Sequence, residues 1–178
     1  MGPLQPTRTE GSTVPTTNEN LAVAFAGESQ ANRKYTAFAR QAEKEGFPQI
    51  ARLFRAAAEA ETIHALAHFA NAGHVGTTLQ NLEKAVAGET YEFTEMYPPM
   101  VKQAQEEGHR GKHMLGFALS AEQVHARLFK EALAAMKAGK DLSTMDVYLC
   151  PVCGDIEFGP PPDKCPICGA PAAKYLKV

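Results

Sequence analysis

No cysteine occurs before position 150 in this chain of 178 residues; the four it has are Cys150, Cys153, Cys165 and Cys168. A disulfide framework therefore has nothing to staple over most of the length. The even count leaves disulfides open for the tail alone, but neighbouring C-x-x-C pairs in a chain of cytosolic character favour a metal. An apolar run is missing from the N-terminal stretch "MGPLQPTRTEGSTVPTTNEN". That speaks against a signal peptide and a membrane span, and predicts a cytoplasmic protein. An excess of either charge is also lacking. With 18 Lys and Arg against 20 Asp and Glu the formal net charge is −2, which offers no footprint for nucleic acid or an anionic bilayer. What remains is an ordinary soluble composition, 44% hydrophobic and 21% charged, with room for one good-sized core and a small appendage.

Residues 1–17 are rich in Pro, Thr and Gly with almost nothing to bury, and read as a disordered tail. Residues 18–139 carry helical periodicity. The first helix, about 19–45, lines up Leu21, Phe25, Glu28, Asn32, Tyr35, Ala39 and Ala42 at steps of four and three. "EGFP" ends it, with Gly46 as stop and Pro48 as the next start. The second, about 48–71, repeats the seam with Ile50, Phe54, Ala57, Glu61, His64 and His68. "TLQNLEKAVAG" reads as a short connecting helix, and a third long helix is expected over about 89–107, kinked at Pro98-Pro99. The fourth, about 110–138, aligns Leu115, Ala118, Glu122, His125, Phe129, Ala132 and Met136. Short links after helices one and three, and a longer crossing between two and three, describe an all-α four-helix bundle with one crossover. Residues 140–146 then form a linker into the cysteine-bearing segment, 147–178.

A bundle seam is normally Leu and Ile; this one holds Glu28, Glu61, His64, Glu122 and His125. Desolvating one uncompensated carboxylate costs several kcal/mol. No seam Lys or Arg stands in register to offset that, so metal cations are the natural counter-charge. Glu61-Thr-Ile-His64 and Glu122-Gln-Val-His125 are both E-x-x-H, and residues three apart share a helix face. With Glu28 and Glu92 on the other two helices, the set is one Glu from each of two helices and E-x-x-H from the other two, the pattern of di-iron and di-manganese bundles. One E-x-x-H alone is commonplace in helical proteins; the agreement of all four pieces carries the signal. His68 reads as a core or supporting histidine, His109 and His113 as surface, and Tyr97 as packing.

Glu95, three residues after Glu92 in "YEFTEMYPP", is one acid more than the set needs. Two ferric ions carry more charge than two ferrous ions, and an extra carboxylate offsets part of the increase. A site that changes oxidation state could therefore exchange the neutral His64 imidazole for Glu95, which makes these two the catalytic candidates.

"FAGESQANRKY", "EAETIHALAH", "YEFTEMYP", "AEQVHARLF" and "YLCPVCG…KCPICGAP" together resemble the rubrerythrins, in the same order from about residue 19 to 178. The resemblance implies a ferritin-like di-iron bundle followed by a small β-rich rubredoxin-like metal domain. It implies bridging roles for Glu61 and Glu122, one iron held by Glu92 and His125, and the other by Glu28 with Glu95 when oxidised and His64 when reduced.

The tail spacing is C-x2-C-x11-C-x2-C, whose four sulfurs suit iron or zinc in a tetrahedral site. So short a segment has little core of its own, and metal binding is expected to stabilise it. The spacing does not separate iron from zinc; the rubrerythrin resemblance implies iron and electron transfer. The expected activity is reduction of hydrogen peroxide to water at two irons, in oxidative-stress defence. Electrons would pass from an external donor, a reductase or rubredoxin-type protein, through the four-cysteine iron. A ferritin-like ferroxidase or iron-handling role is the alternative. Because His125 lies mid-helix and the linker is short, the four-cysteine centre is expected far from its own di-iron site. A head-to-tail homodimer, each tail serving the partner's bundle, follows from that expectation.

Overall fold

The structure is a computed structural model and describes residues 14–178. The disordered tail expected over residues 1–17 lies outside the described residues up to position 13. Its last two residues are already ordered into a helix start. The described residues fall into two compact units that divide between Val75 and Gly76.

The first unit is a helical hairpin, α1 (Thr17–Lys44) and α2 (Pro48–Asn71). Thr16 and Glu19 start α1 with a reciprocal cap. The Thr16 hydroxyl accepts the Glu19 N–H at 3.2 Å, and the Thr16 N–H donates to the Glu19 carboxylate at 2.6 Å. Gly46, at φ 82°, turns the chain, and Pro48 occupies the first turn of α2 where its missing N–H is not needed. The helices meet through small side chains: Ala39, Ala42, Ala51, Ala58 and Ala65 are all buried. Asn32 is the buried polar exception. Its Nδ2 donates across the hairpin to the Ala58 carbonyl at 2.6 Å and to Thr62 Oγ1 at 2.7 Å.

The second unit holds α3 (Thr78–Tyr91), a π-helical turn (Glu92–Met96), α4 (Tyr97–Glu106) and α5 (Lys112–Lys137). Thr77 and Gln80 repeat the reciprocal cap at the start of α3. The short connecting helix and the third helix of the sequence reading are one rod. It begins at Thr78, and Gly88 is absorbed in mid-helix without a break. Pro98 and Pro99 do not end it either; they occupy the first turn of α4. Neither proline can donate to the turn before it, and the backbone widens there instead, the Tyr97 N–H reaching back to the Glu92 carbonyl.

Residues 140–146 are irregular and lead into a three-stranded antiparallel sheet, order β2-β1-β3, built from β1 (Val147–Leu149), β2 (Ile156–Phe158) and β3 (Leu176–Lys177). Tyr148 pairs with Glu157 and Leu149 with Leu176. The sheet frames a core of Cys150, Cys153, Cys165 and Tyr175, onto which Phe117 of α5 packs. Among the described residues, no helix is long and apolar enough to cross a membrane.

Candidate metal centres

In the hairpin, Glu28 of α1 meets Glu61 and His64 of α2, each with a ligand atom within 4.8 Å of the others. The E-x-x-H spacing does what three-residue steps on a helix do: His64 Nδ1 lies 3.1 Å from Glu61 Oε2. A hydrogen bond with Glu61 holds the Glu28 carboxyl above its ordinary range, helped by burial and by the Glu61 charge, with His64 and His68 pulling the other way. Two carboxyls sharing a proton is the arrangement that a bound cation would replace. Asn32 stands one turn along α1 from Glu28 and fixes α1 against Thr62, the neighbour of Glu61. The His64 side chain is 55% exposed and that of Glu61 only 18%, so the imidazole is the accessible member.

The second group combines Glu89 of α3 with Glu122 and His125 of α5, again within 4.8 Å. His125 Nδ1 is 2.7 Å from Glu122 Oε2 and 3.6 Å from Glu89 Oε2. Burial, a hydrogen bond to Glu122 and the Glu122 charge push the Glu89 carboxyl up to about 7. Glu89 Oε2 is buried with no hydrogen-bond partner among the described residues. Carboxylates near one imidazole, with a buried oxygen unsatisfied, fit the demands of a divalent metal.

Glu89 was not singled out from the sequence. With the third helix started at 89, it read as a helix end; with the rod starting at Thr78, it lies well inside. The run Glu89, Glu92, Glu95 at three-residue steps was the available signal. Glu92 is not in the close group but feels it: burial and the Glu122 charge raise its carboxyl, and His125 lowers it. Glu95 is exposed and stands outside both groups. The π-helical turn carries both residues, so their three-residue separation does not keep them on one α-helical face. Tyr97, just after that turn, is raised by burial and by the charges of Glu122, Glu92 and Glu89.

The four cysteines are free and lie within 4.8 Å of one another. Cys150 and Cys168 sulfurs are 3.6 Å apart, those of Cys153 and Cys165 3.4 Å. Tetrahedral metal–sulfur bonds of about 2.3 Å give sulfur–sulfur edges of about 3.8 Å, so the quartet fits a metal with small adjustment. Each knuckle closes alike: the Gly154 N–H donates to the Cys150 carbonyl and the Gly169 N–H to that of Cys165, both at 2.9 Å. These turns need φ of 87° and 75°, which glycine adopts freely. Backbone N–H groups point at sulfur, from Asp155 to Cys153, from Ile167 and Cys168 to Cys165, and from Ala170 to Cys168.

The expected separation between the tail and its own chain's ligands does not hold for the group on α5. His125 Nε2 lies 2.8 Å from the carbonyl oxygen of Gly154, in the first knuckle. Reckoning along the length of the fourth helix missed that the knuckle rests on its flank, at Phe117, Ala121 and His125.

The family model described as "Rubrerythrin" matches residues 19–133, and the one described as "Rubrerythrin, rubredoxin-like domain" matches 148–175. The chain is 37% identical over 174 residues to rubrerythrin-2 of Clostridium acetobutylicum, covering 89% of this chain and 95% of that protein. It is 41% identical over 173 residues to nigerythrin of Nitratidesulfovibrio vulgaris, covering 89% and 84%. A solved structure titled "Fully reduced state of nigerythrin (all ferrous)" superposes with a TM-score of 0.55 at 37% identity, over 94% of this chain and 89% of that one.

Proposed function

Starting from a chain that belongs to the rubrerythrin family, with its di-iron carboxylate site and rubredoxin-like four-cysteine site, we propose that this protein reduces hydrogen peroxide to water. The observation that carries the reading is the His125–Gly154 contact, which joins a carboxylate–imidazole group to the four-cysteine knuckle inside one unit. A protein that only stored iron would have no use for that connection.

We assign Glu28, Glu61 and His64 to one iron, and Glu122 and His125 with Glu89 or Glu92 to the other. Cys150, Cys153, Cys165 and Cys168 would hold the third. When bound, the paired irons supply two electrons and polarise the O–O bond. The balance is one H2O2, two electrons and two protons giving two waters, with the electrons returned singly by an external protein donor.

The chain's own residues position and supply protons. Glu61 and Glu122 orient the imidazoles that follow them by hydrogen bonds to Nδ1 in the metal-free form. The Gly154 carbonyl accepts the Nε2–H of His125, which fixes the ring and leaves Nδ1 to face the acids. His64 is exposed enough to leave its place, and Glu95, outside both groups, is the carboxylate we assign to replace it and to carry a proton. The electron route runs from the first knuckle through Gly154 to His125 of the same chain. A homodimer is still the assembly we expect, but tails need not be exchanged to complete the route.

Anaerobic reduction followed by substoichiometric peroxide tests this. The visible absorption of the ferric four-cysteine centre should return at two electrons per peroxide. A reduced protein left colourless by peroxide, but reoxidised by ferric ions, would redirect the assignment towards iron handling.

A further inference from the structure

The two cysteine knuckles are built alike but stand in different surroundings. On the first, a Cβ added at Gly154 would meet that of Ala121 at 3.9 Å, and the Gly154 carbonyl is taken by His125. On the second, a Cβ added at Gly169 would meet nothing within 4 Å, and Pro166, Gly169 and Pro171 are exposed. The sulfurs divide the same way. Cys150, Cys153 and Cys165 are buried, whereas Cys168 is only partly so. One knuckle therefore faces α5 and the other faces open space. Charge marks the open side. Residues 160–178 hold three lysines against one acid, Asp163, in a chain whose formal net charge is −2. Lys164 leads directly into the second knuckle and pairs across its base with Pro171. Lys174 follows on the same stem, its N–H donating to the Pro171 carbonyl at 2.9 Å. Both lysines are exposed with no ion-pair partner among the described residues, while Lys177 is engaged by Asp146 at 2.8 Å.

We propose that the second knuckle is the docking face for the external electron donor, and that this donor is a small one-electron protein with an acidic face. Electron transfer weakens steeply with distance, so the partly exposed Cys168 sulfur is the point of entry. Gly169 puts no side chain between that sulfur and an approaching surface. Lys164 and Lys174 attract acidic groups and orient the encounter, which raises the rate of association more than the final affinity. The step moves one electron from the reduced donor to the ferric four-thiolate iron, which becomes ferrous. No bond is made or broken, and no proton is required. Entry at one knuckle and exit at the other let the donor bind while the first knuckle stays on α5. The inference rests on the proposed role of the four-cysteine iron in receiving outside electrons, but not on peroxide as the substrate.

The test uses the iron-loaded full chain, kept anaerobic with no peroxide, and reduced flavodoxin, an acidic one-electron flavoprotein, as the probe. Stopped-flow bleaching of the ferric-thiolate absorption gives the second-order rate. Lys164→Glu and Lys174→Glu should each slow it by about threefold or more at low ionic strength. Salt at about 0.5 M should erase the difference. Lys140→Glu makes the same charge change in the linker and should keep the native rate. Carbodiimide coupling of flavodoxin carboxylates to the native chain should mark Lys164 and Lys174. Slowing in one of the two variants alone still places the donor on this knuckle. Native rates in both overturn the proposal, and so does equal slowing in Lys140→Glu. A difference that survives high salt reflects an altered driving force and overturns it too, as do couplings confined to other lysines. The expected lysine effects together with no response to peroxide would count against the peroxide reading alone.

Discussion

The imidazole of His125 is held from both sides, with Glu122 Oε2 2.7 Å from Nδ1 and the Gly154 carbonyl 2.8 Å from Nε2. One ring therefore spans the distance between a carboxylate group on α5 and the first cysteine knuckle. Moving the knuckle should disturb the ring even when every ligand is intact.

Gly154→Ala is the direct way to move it. At φ 87° an alanine is strained by about 1–2 kcal/mol, and its Cβ would stand 3.9 Å from that of Ala121. The variant should melt a few degrees lower, keep its iron, and return the tail's ferric colour more slowly after peroxide in stopped-flow measurements. An unchanged rate would show that electrons do not use this contact.

Glu89 predicts a pH dependence of the metal-free protein. Its carboxyl titrates near 7 in the folded chain against an ordinary value of 4.5. The folded state thus binds the proton more tightly than the unfolded state, and stability is greatest below about pH 4.5 from this group. It is lost as pH rises through 7. Thermal melts of metal-free protein between pH 5 and 8 should show that decline, flattened in Glu89→Gln. Metal competes with the same proton, so affinity for ferrous iron should rise over the same interval.

Asn32→Ala removes the cross-hairpin donor to Ala58 and Thr62. The buried Ala58 carbonyl keeps its helical bonding but the Thr62 hydroxyl loses a partner, for a loss of about 1–3 kcal/mol. Denaturant unfolding should report this, and iron analysis should show the Glu28–Glu61–His64 group occupied less than the group on α5.

Stripping the tail metal should unfold residues 147–178 and little else. Its core is three buried cysteines and Tyr175, with two- and three-residue strands around them. Free sulfurs without a cation cannot hold such a segment. Chelation should expose four reactive thiols while far-UV helicity stays within a few per cent; a tail that still protects its thiols would mean that Phe117 packing suffices.

Much of this was legible because the chemistry repeats at helical spacing. Glu61 with His64, and Glu122 with His125, stand out wherever their helices begin, since a three-residue step holds them on one face. The cysteine quartet is likewise fixed by spacing alone. Glu89 was hidden for the opposite reason: its standing depended on where the helix starts, and Gly88 suggested a break that the Thr77–Gln80 cap, eleven and eight residues upstream of it, overrides. The sequence places a kink at Pro98-Pro99, whereas the widening falls at Glu92–Met96, because sequence shows the missing donors but not where the backbone absorbs them. The nearness of the first knuckle to His125 depends on the path of residues 140–146, for which no periodicity exists.

That widened turn has a mechanical consequence. The Tyr97 amide reaches one carbonyl further back than an ordinary α-helical turn would require, so the turn holds one residue more than regular winding allows. Glu92 and Glu95 both lie in that turn and are spaced by its wider winding, whereas Glu61 and Glu122 keep the spacing of regular α-helix to the histidines that follow them.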